Sequence, residues 1–154
     1  MGKTPADQLA ELESKINEFI SESRIFLCVH DDKTLEIAGL TYQEIKELSQ
    51  EECLIASLKL QEHCSCITRE INTLKAKMSW VSYAINKLVS DNHSSFGKYD
   101  KHDQKIFILQ RENILAGLLI EARQAIESRL LILDDVVCDY RMMANKFGEL
   151  ARIK

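Results

Sequence analysis

The sequence predicts a mainly α protein: a long antiparallel, coiled-coil-like helical hairpin preceded by an N-terminal helix and a small β-hairpin, assembled as an oligomer. Three observations carry this expectation. Between Cys53 and Leu88, small or apolar residues recur at alternating spacings of four and three: Cys53, Ser57, Leu60, Cys64, Ile67, Ile71, Leu74, Met78, Val81, Ile85 and Leu88. Such alternation averages about 3.5 residues, which keeps one stripe of a helix facing a partner helix along its length. A second stripe runs through Leu115, Leu119, Ala122, Ile126, Leu130, Leu133, Val137, Tyr140, Ala144 and Phe147. One Pro and five Gly in 154 residues leave few places to turn.

The first helix is announced by Thr4 as cap, Pro5 in the first turn and Asp7 at the positive end of the helix dipole. Leu9, Leu12, Ile16 and Phe19 follow at helical spacing, and the pattern fades near residues 21–23. Residues 24–30 (Arg-Ile-Phe-Leu-Cys-Val-His) read as a strand, Asp31-Asp32-Lys33 as a turn, and Thr34-Leu35-Glu36-Ile37 as the alternating return strand. Residues 1–40 therefore form an N-terminal helix plus β-hairpin. Two capping boxes follow, Thr41-Tyr-Gln-Glu44 and Ser49-Gln-Glu-Glu52. In each, cap and third residue satisfy one another's unpaired backbone N–H groups. They predict a short helix over about 42–48 and a long one from about 50 to 90. Asp91-Asn-His-Ser-Ser-Phe-Gly97 breaks the pattern, placing the tip of the hairpin at 91–100. Asp100 or Asp103 caps a last helix reaching about residue 150, so that 41–154 make the short helix and the hairpin.

Oligomerisation is expected because Ile114, Leu118, Ile120, Leu131 and Ile132 flank the second stripe and widen its apolar face beyond a two-helix seam. Monomers rarely expose patches of that size. The longest apolar run, Ile114 to Ile120, is far short of the roughly 20 residues that a bilayer requires, so no membrane partner is expected. Residues 1–5 lack the apolar core of a signal peptide. With five cysteines, an odd number, free thiols in a reducing cytoplasm follow.

The net charge of −4 is unevenly spread. Residues 1–67 carry 6 Lys+Arg against 13 Asp+Glu, residues 68–105 carry 7 against 4, and residues 106–154 carry 7 of each. An acidic N-terminal third and a basic middle either attract one another between subunits or mark two binding faces.

Catalytic and metal chemistry find no motif. Cys64 and Cys66 point about 200° apart on a helix and cannot chelate one ion together; Cys64 falls on the stripe and reads as a small core residue. No Gly-rich phosphate loop precedes Lys-Ser/Thr, and the four His have no nucleophile and third partner in local sequence. Neither enzyme activity nor a cofactor is expected.

One constellation remains, around the tip: Trp80, Tyr83, Lys87, His93, Phe96, Lys98, Tyr99, Lys101, His102 and Lys105. Basic side chains mixed with aromatics hold single-stranded nucleic acid, with charge on phosphates and rings under bases. The plainer reading is that Trp80 and Tyr83 pack beside the stripe while the lysines are solvated. The stripe itself, with Ile67, Ile71, Leu74, Met78, Val81 and Ile85 on one helix and Leu119, Ile126, Leu130, Leu133, Val137 and Tyr140 on the other, is read as core and subunit contact.

Across residues 55–147, the two long helices, the aromatic and basic turn, and Ala125-Ile126-Glu127-Ser128-Arg129 in the second helix resemble the phage recombination mediators of the UvsY type. The resemblance implies a helix-rich, ring-forming protein of the host-cell cytoplasm that binds single-stranded DNA and helps load a recombinase in place of a single-strand-binding protein. A second reading is a helical scaffold or adaptor with protein partners only.

Overall fold

The computed structural model describes residues 2–22 and 32–154, and among these the chain is helical with no strand. Six α-helices follow in order: α1 Pro5–Glu22, α2 Asp32–Ala38, α3 Tyr42–Glu47, α4 Gln50–Asp91, α5 His102–Glu112 and α6 Ile114–Ile153, with a 3-10 turn at His93–Ser95. The caps form as the sequence predicts. The Asp7 backbone N–H donates to Thr4 Oγ1 at 3.2 Å while the Thr4 N–H donates to Asp7 Oδ2 at 3.1 Å. Thr41 and Glu44 exchange the same pair of bonds at the start of α3, as do Ser49 and Glu52 at the start of α4.

Two expectations are corrected. Thr34–Ile37 is not a strand: it lies inside α2, with Thr34 buried and Ile37 and Ala38 half-buried at positions 0, 3 and 4 of one helical face. The other proposed strand, 24–30, lies outside the described residues. The last helix does not run unbroken from about 101 either. Asn113 takes an extended conformation (φ −126°, ψ 118°) and divides it into α5 and α6. Its N–H completes the end of α5 on the Leu109 carbonyl at 2.8 Å, and its side-chain oxygen accepts from the Ala116 N–H at 3.1 Å, opening α6. Asn suits this double role because its short amide can cap the helix that follows while its extended backbone ends the one before.

The chain divides into two compact units, residues 1–25 with 73–130 and residues 26–72 with 131–154, so α4 and α6 contribute to both. In the first unit Val81, Ile85, Ile106, Leu119 and Ile120 form the core, with Leu9, Leu12, Leu88, Leu115 and Ile126 packed around them. Ile16 of α1 is buried, and a cavity of about 220 Å³ remains beneath that helix, between Leu9, Leu12, Lys77, Val81, Ala122 and Ile126.

In the second unit Cys53, Ala56 and Leu60 of α4 meet Ala144, Phe147 and Ala151 of α6, and Ile37 of α2, Leu40 of the following link and Ile45 of α3 pack against them. Side chains of α4 reach carbonyls of α6 at heptad intervals: Gln50 Nε2 to Ala151 O at 2.8 Å, Ser57 Oγ to Ala144 O at 2.8 Å, and Cys64 Sγ to Val137 O at 3.8 Å. Partner numbers fall on α6 as they rise on α4, so the two helices run antiparallel here.

Candidate nucleic-acid interface

The tip belongs to the first unit and is shaped by local hydrogen bonds. Asn92 folds its amide back onto the Leu88 carbonyl at 2.7 Å, ending α4. The Gly97 N–H donates to Asp100 Oδ2 at 2.6 Å, and the Asp100 N–H returns to the Gly97 carbonyl at 3.2 Å. A Cβ at residue 97 would stand 3.1 Å from the Asp100 carboxylate, so Gly lets this turn close tightly. Asp100 therefore serves the turn rather than capping α5, and the N-cap residue just before α5 is Lys101, whose N–H donates to Gln104 Oε1 at 3.0 Å.

This turn exposes most of the sequence-predicted tip residues. Lys87, His93, Lys98, Lys101 and His102 are exposed, Phe96 and Lys105 are half-buried, and Tyr99 is 88% exposed. Cations stand beside the rings: Lys98 Nζ lies 5.8 Å from the Tyr99 ring centroid, and Lys105 Nζ lies 6.0 Å from that of Phe96. These separations suit cation–π attraction. Tyr83 is also exposed, whereas Trp80 is half-buried.

Stripe residues fall elsewhere. Ile67, Ile71, Val81, Ile85, Leu119 and Val137 are buried; Leu74, Met78, Ile126, Leu130, Leu133 and Tyr140 are half-buried. Tyr140 meets the buried His63 edge-on, with ring centroids 4.9 Å apart at 75°. Burial pushes the Cys64 thiol above its ordinary value, while the nearby charge of Arg141 pulls the other way. Of the flanking apolar residues, Ile120 is buried, but Ile114, Leu131 and Ile132 are exposed.

Two features escaped the sequence reading. On α5, Phe107 is 61% exposed and the Arg111 guanidinium lies 6.0 Å from its ring centroid. Their spacing of four, away from the buried Ile106 and Leu109, was the available signal. In the second unit, Ile37, Leu40, Tyr42, Ile45, Met143, Leu150 and Ile153 line an apolar groove of about 440 Å³. It was hidden because residues 34–37 read as a strand. Among the described residues no three His, Cys, Asp or Glu side chains converge, and no helix is long and apolar enough to cross a membrane.

No protein-family model matches the chain, and comparison with curated proteins and with solved structures finds no match either.

Proposed function

We propose that this protein is an oligomeric helical accessory factor of DNA metabolism that contacts single-stranded nucleic acid through the 93–105 tip. The observation that carries this reading is the Tyr99 ring, 88% exposed, with the Lys98 ammonium beside it and the exposed Lys101 and His102 two and three residues on, beyond Asp100. A large exposed ring on a tight turn adds nothing to the core; its open face suits a stacked base, and the neighbouring cations suit the phosphates on either side. The resemblance to UvsY-type recombination mediators supports the same reading, with a recombinase or another protein of the same process as partner. Support for self-association comes from Ile114, Leu131, Ile132 and Met142, apolar side chains of α6 that stay more than half exposed.

Titration of the full-length protein with a single-stranded oligonucleotide at several salt concentrations tests this. Binding that weakens linearly in log–log with salt is expected, because phosphate contacts release counterions. A folded protein that binds neither single-stranded DNA nor RNA at low salt would refute it.

A second reading, an adaptor with protein partners only, is favoured by the apolar groove of the second unit. Tyr42 and Ile153 are 70% and 81% exposed at its edges, which is the profile of a surface that takes an apolar side chain from a partner.

A further inference from the structure

We infer that Phe107 and Arg111 of α5 form a second base-stacking position that continues the tip site, so that a single strand passes from Tyr99 along the outer face of α5. The inference rests on the nucleic-acid function proposed for the tip and adds residues that function does not require.

Ile106 and Leu109, only 9% and 2% exposed, supply the contribution of α5 to the core. Phe107 projects about 100° away from Ile106, at about 3.6 residues per turn, and leaves most of its ring in solvent. Arg111, one turn further on, sets a delocalised cation beside the ring. The same pairing of ring and cation thus recurs within one unit, at Tyr99 with Lys98, Phe96 with Lys105 and Phe107 with Arg111.

The surface beside Phe107 also has room for a base. Asp100, Asp103, Gln104, Phe107 and Ile108 border an open hollow of about 390 Å³. Its two carboxylates repel a phosphate, while Phe107 and Ile108 offer apolar contact. The hollow therefore takes the base rather than the backbone. Lys101 and Arg111, at the two ends of the helix, carry the cations that phosphates on either side would meet. Because stacking releases few counterions while each phosphate contact on a single strand releases about 0.7, the two residues leave different signatures.

The test is salt-dependent titration of a fluorescent single-stranded oligonucleotide against the wild type and the variants F107A, F107W and R111A, with native mass measured for each. F107A is expected to weaken binding about 5- to 150-fold at fixed salt, the range for losing one stacked base, with the salt slope unchanged. F107W should restore affinity. R111A should flatten the slope by about 0.7, the value for one phosphate contact on a single strand. If F107A and R111A bind as the wild type does while wild-type binding is intact, the second position does not exist and the tip site stands. If loss of affinity in F107A coincides with loss of native mass, Phe107 is a subunit contact and the inference is overturned. If the wild type itself does not bind, the nucleic-acid function fails and takes this inference with it.

Discussion

The Ser57 hydroxyl donates to the Ala144 carbonyl across the second unit, 2.8 Å from oxygen to oxygen and buried. That bond sits at the middle of a ladder in which seven residues forward on α4 match seven residues back on α6, from Gln50 and Ala151 through to Cys64 and Val137. Small residues make the approach possible: Cys53, Ala56 and Ser57 on one side, Ala144, Gly148 and Ala151 on the other. Register is thus fixed twice, by shape and by hydrogen bonds, of which those from Ser57 and Cys64 have buried donors that need an acceptor.

Substitutions at this seam should separate the two effects. Ser57→Ala removes one buried donor and should cost about 1 kcal/mol. Ser57→Leu should cost about 1–3 kcal/mol or more, because a larger side chain forces the helices apart. Gly148→Ala should be neutral or stabilising by up to about 1 kcal/mol: its Cβ would meet Ser57 Oγ at 3.4 Å, an ordinary contact, and Ala is the better helix former. Urea denaturation of the three variants checks the ranking.

Each unit has a fully buried aliphatic side chain whose truncation should be severe. Leu60 in the second unit and Ile85 in the first are both 0% exposed. Leu60→Ala and Ile85→Ala should each cost about 2–5 kcal/mol, through reduced burial and the cavity left behind. Unchanged thermal midpoints for either would contradict the core assignment.

Asn113 should be sensitive in a different way. Asn113→Ala keeps the backbone N–H bond to Leu109 but removes the oxygen that accepts from Ala116. A loss of about 0.5–2 kcal/mol is expected, the usual cost of deleting a helix N-cap. Asn113→Asp and Asn113→Ser, which retain an accepting oxygen, should recover most of it, and denaturation of the three side by side measures the difference.

Acid should loosen the helix starts. The Thr41 N–H, and then its hydroxyl, hold the Glu44 carboxyl below the ordinary glutamate range; Ser49 does the same to Glu52, aided by the charge of Lys154. Because the folded value is the lower one, the stabilisation is present above the unfolded-state value and disappears as pH falls through the folded one. Stability should therefore decline on acidification below about pH 5. In Glu44→Gln and Glu52→Gln, part of that pH dependence should vanish while stability at neutral pH falls slightly. Denaturation midpoints measured from pH 3 to 7 give the comparison.

At the tip, replacing Lys98, Lys101 and Lys105 together with Ala should weaken binding to single-stranded nucleic acid and flatten its salt slope, by about 0.7 for each phosphate no longer neutralised. Tyr99→Ala should cost about 1–3 kcal/mol of binding energy if a base stacks there. Neither change should lower thermal stability, since Lys98, Tyr99 and Lys101 are exposed and Lys105 is half-buried. Oligonucleotide titration alongside thermal unfolding distinguishes a weakened binding surface from an unfolded chain.

Several features of this protein were determined by sequence alone. Thr4, Thr41 and Ser49 open helices because their side chains reach backbone N–H groups only three residues away, and no distant partner is needed. The stripes from Cys53 to Leu88 and from Leu115 to Phe147 are likewise legible, because a repeat sustained over many turns leaves one helical face to bury. The exposed tip residues Lys98, Tyr99 and Lys101 belong to the same class, since residues 91–97 cannot continue a helix and the chain beyond them must turn before α5 begins.

Tertiary structure decided the rest. Thr34–Ile37 satisfies a two-residue and a helical period equally well over so short a stretch, and packing of Ile37 against the second core selects the helix. The break at Asn113 is equally non-local. In one unbroken helix Ile106 and Leu119 would point about 140° apart, at about 3.6 residues per turn, yet both sit in a single core cluster. Leaving the helix at Asn113 resets the phase and lets α5 and α6 bury their apolar sides together. Phe107 and Arg111 share a spacing of four in sequence, but that they face outward depends on which side of α5 is buried, and packing through Ile106 and Leu109 decides that.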